Sequence, residues 1–239
     1  MVDFHSHILP GVDDGSPDVA RSIAMLRMEG EQGITHVVAT PHFYPKHDTP
    51  EQFLARRDQA EAILREEMEK HTGLPRLSVG AEVHYFRGIS ESDMVPRLAL
   101  NSRSILIEMP PAPWPDTAYR ELEAIRTQWG ITPVLAHIDR YIAPFRTFGI
   151  PERMEKLPVL VQANGSFFLE KATASMALRL LKRDRIHLLG SDCHNLTSRK
   201  PNLGAAMELI ARKLGPEALT RLRRYEALAL GVESKECAE

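Results

Sequence analysis

The stretch Val2-Asp3-Phe4-His5-Ser6-His7-Ile8-Leu9-Pro10-Gly11-Val12-Asp13-Asp14-Gly15 decides how this 239-residue chain is read. Val2–Ser6 predicts a short buried strand, with no room before it for a leader, and Pro10-Gly11 predicts the loop that stops it. Metal-capable side chains alternate along it at Asp3, His5 and His7. Residues two apart on a strand point the same way, so His5 and His7 leave on one face and close on one ion. Paired imidazoles beside two acidic residues favour a metal half-site over solvated loop histidines, because imidazole and carboxylate donors suit divalent metals.

Beyond this stretch, a helix is expected over 17–32, with Ser16 as its N-cap, Pro17 at its first position and Gly33 ending it. A β-branched strand over 36–40 stops at Pro41-His42, and a long charged helix runs over 50–70. A third strand over 77–84 carries Glu82, and Ser104–Glu108 makes a fourth before a helix over Asp116–Trp129. Strands over 133–137, 159–164 and 186–191 follow, separated by helices over 151–156 and 172–182; helices over 202–213 and 216–228 complete the chain. Strands that are apolar runs rather than clean alternations are those of buried parallel sheets. Seven of them alternating with helices predict an α/β fold, a distorted (β/α)7 barrel of the triosephosphate-isomerase kind, one strand short. An open doubly wound sheet is the competing architecture, but no glycine-rich turn follows the first strand. Without a linker, repeat or low-complexity stretch, residues 1–239 are read as one domain.

Composition bounds the function. At 43% hydrophobic and 26% charged residues, with net charge −2 and pI near 6.6, there is no electrostatic case for nucleic acid or a membrane surface. No apolar run reaches transmembrane length, so no membrane insertion is expected. Two cysteines, Cys193 and the tail residue Cys237, make no disulfide framework and suit a reducing, cytoplasmic location.

His5 and His7, His42, Glu82, Glu108, His137, and Asp192 and His194 all fall at or just past the C-terminal end of an expected strand. In a parallel barrel those ends share one face, so residues more than 180 apart in sequence converge on one pocket. Loop capping explains one such residue, not the whole set of strand ends.

Asp3-Phe-His5-Ser-His7, Ala39-Thr-Pro-His42, Gly80-Ala-Glu82, His137-Ile-Asp-Arg-Tyr141 and Ser191-Asp-Cys-His-Asn195 resemble the PHP superfamily (polymerase and histidinol phosphatase). More narrowly they are similar to the bacterial metal-dependent protein-tyrosine phosphatases encoded with capsule and exopolysaccharide genes. The resemblance runs from the first strand to about Leu203. It implies three divalent ions, manganese foremost, with iron or zinc as the other choices. His5, His7, Glu82 and Asp192 would hold the first; Glu82 would bridge to a second held also by Glu108 and His137; Asp14, His42 and His194 would hold the third. It also implies that Arg140 and Arg199 neutralise the phosphoryl group, a task suited to a guanidinium fork. The substrate so implied is a phosphotyrosine protein, the tyrosine-rich tail of a membrane-associated bacterial tyrosine kinase controlling polysaccharide assembly. The chemistry expected is attack by a water that two metals acidify. No general acid and no oligomeric state are assigned.

Three rival readings are carried. Cys193 and Arg199 have the Cys-x5-Arg spacing of thiol phosphatases, but the intervening residues supply no glycine for a backbone phosphate cradle. The substrate could instead be histidinol phosphate or a nucleic-acid phosphodiester. In the third reading the metals are structural and the chain only binds phosphotyrosine. Among lesser candidates, Asp3 is expected to orient a ligand histidine and Asp139 to orient His137 or Arg140 or to cap a loop. His36 is expected to be structural, His47, His71 and His187 exposed, and His84 a rim residue. Phe43, Tyr44, Trp114 and Tyr141 are candidates to wall a groove.

Overall fold

A computed structural model describes residues 1–142 and 149–232; Cys237 lies outside them. The chain opens with β1 (Val2–Ser6), α1 (Val19–Glu31), β2 (His36–Ala39), β3 (His42–Phe43), α2 (Pro50–Met68), β4 (Arg76–Val79) and β5 (Glu82–His84). Next come α3 (Met94–Leu98), β6 (Ser104–Glu108), α4 (Asp116–Trp129), β7 (Thr132–Leu135), α5 (Ile150–Met154) and β8 (Leu160–Asn164). It ends with α6 (Gly165–Leu169), α7 (Ala174–Lys182), β9 (Leu188–Gly190), α8 (Leu203–Leu214) and α9 (Pro216–Leu230). Among the described residues no helix is long and apolar enough to cross a membrane.

The named strands pair in parallel, in the orders β1-β2-β4 and β3-β5-β6-β7-β8-β9. The expected strand over 77–84 is two segments, and His42–Phe43 is an added one. Pro41 has no N–H and interrupts the ladder on its strand, opposite the break at Gly80-Ala81. Gly80 N still donates to Ala39 O and Glu82 N to Pro41 O, so β3 prolongs β2 and β5 prolongs β4. The nine segments thus follow seven strand paths. The curl is joined where His7 N donates to Cys193 O (2.9 Å) and Asp192 N to His5 O (2.8 Å). The result is the distorted (β/α)7 barrel that the strand count predicts.

Local chemistry sets the helix ends. Asp18, not Ser16, caps α1, its carboxylate accepting from Arg21 N, while Ser16 Oγ donates to Asp18 O. Thr49 and Gln52 form a capping box at α2. The short α6 continues straight from β8 and was not foreseen, because five residues carry too little period to register.

Inside the barrel Val2, Phe4, Val38, Leu106, Val134, Leu160 and Leu188 pack together and are sealed by Ala227, Ala229 and Leu230 of α9. The larger core lies between strands and helices, with Phe43 against Phe53 at 5.1 Å between ring centroids. Toward the strand C-termini the inward positions turn polar: Leu106 is followed on its face by Glu108, Leu160 by Gln162 and Asn164, and Leu188 by Gly190 and Asp192. An apolar plug below and polar donors above is how one barrel face becomes a site.

Candidate metal centre

On β1 the pairing register moves from Asp3↔Val37 to Ser6↔Ala39, three steps against two. This bulge breaks the simple alternation and re-aims the side chains. Asp3 accepts from Ser191 N (2.9 Å), Ser191 Oγ and His5 N (3.1 Å), tying β1 to the end of β9. It therefore positions backbone rather than an imidazole. His5 and His7 face the pocket together, their Nε2 atoms 3.1 Å apart.

Glu82, 1% exposed, is the hub. Its Oε2 lies 3.2 Å from His5 Nε2, 3.4 Å from His7 Nε2 and 2.9 Å from His42 Nδ1; its Oε1 lies 2.7 Å from His137 Nε2. Asp192 Oδ1 closes on the first two imidazoles, at 3.6 and 3.4 Å. Glu108 Oε1 is 3.5 Å from His137 Nε2. Asp14, 67% exposed, forms the outer wall, with Oδ1 3.4 Å from His194 Nε2 and 3.6 Å from His42 Nε2. All nine expected donors stand in one pocket. Within it His5, His7 and Asp192 lie in mutual reach, as do His42, Glu82 and Glu108, and His7, Asp14, His42 and His194. His7 and His42 each enter two of these groups.

The donors fit a cation. Glu82 Oε2 and His194 Nε2 are buried without a hydrogen-bond partner among the described residues, although imidazoles and carboxylates crowd around them. Buried unpaired polar atoms of both kinds, converging, are what a divalent ion satisfies. The backbone bends to the same end. His137 and Asp192 hold φ of 30° and 53°, a left-handed conformation costing a non-glycine residue about 1 kcal/mol or more.

Three supports escaped the sequence. Asp13 Oδ2 is 2.7 Å from His7 Nδ1 and also accepts from His42 N. Gln162 Oε1 is 3.2 Å from His5 Nδ1 and accepts from His137 N at 2.6 Å. Gln162 Nε2 donates to Asn164 Oδ1, and Asn164 Nδ2 donates to Asp192 Oδ2. The inward parity of β8 marked both amides, and adjacency to Asp14 marked Asp13. Asp139 accepts from Asn164 N, so it caps the end of β8 rather than orienting His137 or Arg140.

Burial pushes the Glu82 carboxyl up, but the charge of His5 and the neighbouring imidazoles of His137 and His42 hold it well below the usual range. Asp192 likewise stays ionised against its burial, through His5 and His7. Two arginines flank it. Arg140 Nη2 and Arg199 Nη2 each bond Asp192 at 2.7 Å, and Arg140 Nη1 reaches Glu108 at 3.2 Å. Both guanidinium groups remain about two-fifths exposed and open to a ligand.

Of the four aromatic candidates, Tyr44 stacks on His42 at 5.2 Å. Phe43, Trp114 and Tyr141 are buried packing residues, Tyr141 Oη accepting from Met109 N. His84 Nδ1 contacts Glu108 Oε2 at 3.2 Å. His36 Nε2 meets Ser78 Oγ at 2.8 Å. His187 is half-buried rather than exposed, its Nδ1 accepting from Val161 N.

A family model described as capsular polysaccharide synthesis, CpsB/CapC, matches residues 1–230. The tyrosine-protein phosphatase CpsB of Streptococcus agalactiae serotype V is 30% identical over 241 residues, covering 93% of this chain and 94% of that protein. The tyrosine-protein phosphatase YwqE of Bacillus subtilis is 32% identical, covering 91% and 86%. A solved structure from work on YwqE and Streptococcus pneumoniae CpsB, described as unique metal-dependent tyrosine phosphatases, superposes with a TM-score of 0.84 at 27% identity over 98% of this chain and 96% of that one. Histidinol phosphate phosphatase of Lactococcus lactis shares the fold, with a TM-score of 0.57 at 16% identity over 91% and 93%.

Proposed function

The chain belongs to the CpsB/CapC family of capsular polysaccharide synthesis, and we propose that its nine-donor pocket is the centre at which it hydrolyses phosphotyrosine in proteins. It is a metal-dependent tyrosine phosphatase, and the observation that carries this is Glu82 Oε2, buried and unbonded among the imidazoles of His5, His7 and His42.

In this proposal His5, His7, Glu82 and Asp192 hold one ion; Glu82, Glu108 and His137 a second; Asp14, His42 and His194 a third. The oxygen and imidazole set, without thiolate, suits manganese, iron or zinc, and manganese is our choice. Divalent ions there supply the charge that acidifies water and offsets phosphoryl oxygens. The chain's own residues do the rest. Asp13 and Gln162 contact the Nδ1 atoms of His7 and His5, leaving each Nε2 turned to the pocket. Arg140 and Arg199 reach in beside Asp192 and present guanidinium forks to the phosphate. A phenol leaving group, with pKa near 10, needs less protonation than an alkoxide, so the site can work without a strong general acid. The physiological substrate in this proposal is a tyrosine-phosphorylated kinase of polysaccharide assembly, met at the cytoplasmic face by a single domain spanning residues 1–239.

The test compares rates on a phosphotyrosine peptide, histidinol phosphate and an oligonucleotide, before and after chelation and after manganese is restored. The peptide should be fastest, and its turnover should vanish with chelation and return with metal. A preference for histidinol phosphate, or indifference to chelation, would sink the proposal.

A further inference from the structure

Beside the candidate metal centre lies a groove of about 420 Å³, formed by residues 44–47 after β3 and by residues 84–87 at the end of β5 and beyond it. Its inner wall is the wall of the site. The Tyr44 ring stacks on His42 and lies 5.6 Å from the ring of His84, and His84 touches Glu108. Residues beside a phosphotyrosine seated at the site would be within reach of this groove, since an extended chain advances about 3.3 Å per residue.

The groove is basic and its charges are uncommitted. Lys46, His47 and Arg87 are exposed. Among the described residues neither Lys46 nor Arg87 has an ion-pair partner, and no carboxylate lines the groove. The nearest acids already have partners. Asp48 is gripped by both terminal nitrogens of Arg56, Glu108 by His84 and Arg140, and Glu121 by Tyr85 Oη and Gly88 N. The mild overall acidity of the chain thus gives way here to a local excess of positive charge on an aromatic floor of Tyr44, Tyr85 and Phe86.

We propose that this groove reads the residues flanking the phosphotyrosine and selects acidic ones, with Lys46 and Arg87 as the specificity-determining charges; this rests on the phosphatase activity proposed above. Exposed ion pairs are individually worth a few-fold in binding, so two acting together give about tenfold. Such a preference must shrink with salt, because exposed charges are screened over about 10 Å at 0.1 M.

The test measures kcat/KM on matched phosphotyrosine peptides carrying either Glu or Lys on both flanks, with p-nitrophenyl phosphate as a substrate that has no flanks. In the native enzyme the Glu peptide should lead about tenfold, through KM, and the lead should narrow at 0.5 M salt. The double variant Lys46→Glu/Arg87→Glu should bring that ratio to one or below. Lys182→Glu, a single reversal of the same kind at the end of α7 that leads into the opposite rim of the barrel, should keep it. The ratio is read within each enzyme, so a general loss of activity does not disguise the result. Equal rates on the two peptides by an enzyme that hydrolyses both would overturn the proposal, as would a native ratio in the double variant or an equal change in Lys182→Glu. Failure to turn over any of the three substrates would instead strike the phosphatase activity itself, and the proposal would fall with it.

Discussion

Asp13 Oδ2 lies 2.7 Å from His7 Nδ1 and fixes which nitrogen of that imidazole turns to the pocket. Burial pushes the Asp13 carboxyl up, but the bond to His7 and its charge hold it well below the usual carboxylate range, so the pair stays charge-assisted. Replacing a carboxylate that orients a ligand histidine costs about 10–100-fold in metal affinity or activity. Asp13→Ala should fall in that range by metal titration and by kcat/KM, with Asp13→Asn between it and the parent. The double change His5→Ala/His7→Ala sets the floor, removing an ion and nearly all turnover with the circular dichroism spectrum intact. Full activity in Asp13→Ala would remove Asp13 from the site.

Cys193 is fully buried, and its thiol is pushed well above its ordinary value by that burial and by the carboxylates of Glu29 and Asp3. A thiol held protonated is a poor nucleophile. The backbone between it and Arg199 also lacks the glycine-rich cradle a phosphocysteine route needs. Cys193→Ser should keep at least about half of kcat, iodoacetamide should not inactivate the native protein, and a chelator should abolish turnover in both. Inactivation by the alkylating agent with chelator resistance would restore the thiol route.

Much of this was legible in sequence, and what was not has physical reasons. Strand ends and candidate donors could be read because apolar runs stop at Pro41, Met109-Pro110 and Asp192-Cys193, each beside a charged or imidazole side chain. The bulge between Asp3 and Ser6 was hidden, because register is a property of two strands and only one is seen at a time. Gln162 was missed for a similar reason. Its single oxygen serves His5, 157 residues away, and the backbone of His137, and no local pattern records a bond over that distance. The break of one expected strand into β4 and β5 followed from Pro41 on the neighbouring path.

Glu226 of α9 is 1% exposed, with neither carboxylate oxygen hydrogen-bonded to a side chain among the described residues. Burial pushes its carboxyl up to about 7, with the amino terminus, the Val2 backbone and Arg223 pulling it part of the way down. The folded protein binds this proton more tightly than the unfolded chain. Stability from this group is therefore complete below pH 4.5, declines as pH rises to about 7, and changes no further above that. The loss is on the order of 3 kcal/mol. Glu226→Gln should flatten this part of the profile, so that urea midpoints at pH 5 and pH 8 differ less in the variant than in the parent. Equal pH dependence in the two proteins would show that Glu226 ionises freely in the fold.

Gly190 ends β9 directly beneath the first pair of histidines. A Cβ there would stand 2.5 Å from His5 Cβ, 2.6 Å from Gln162 Nε2 and 3.1 Å from His5 N. Two of these three atoms belong to the stiff root of His5, so the side chain cannot swing clear and β1 or β9 must move. Overpacking of a well-packed interior costs about 1–3 kcal/mol. Here the displacement also falls on His5 and on the amide that orients it, so stability and metal affinity fall together. Gly190→Ala should lower the thermal midpoint of the metal-loaded protein and raise the manganese concentration needed for half-maximal activity. A variant with the native midpoint and native metal dependence would mean that β9 yields at Gly190, and that the close approach of the two strands does not set the position of His5.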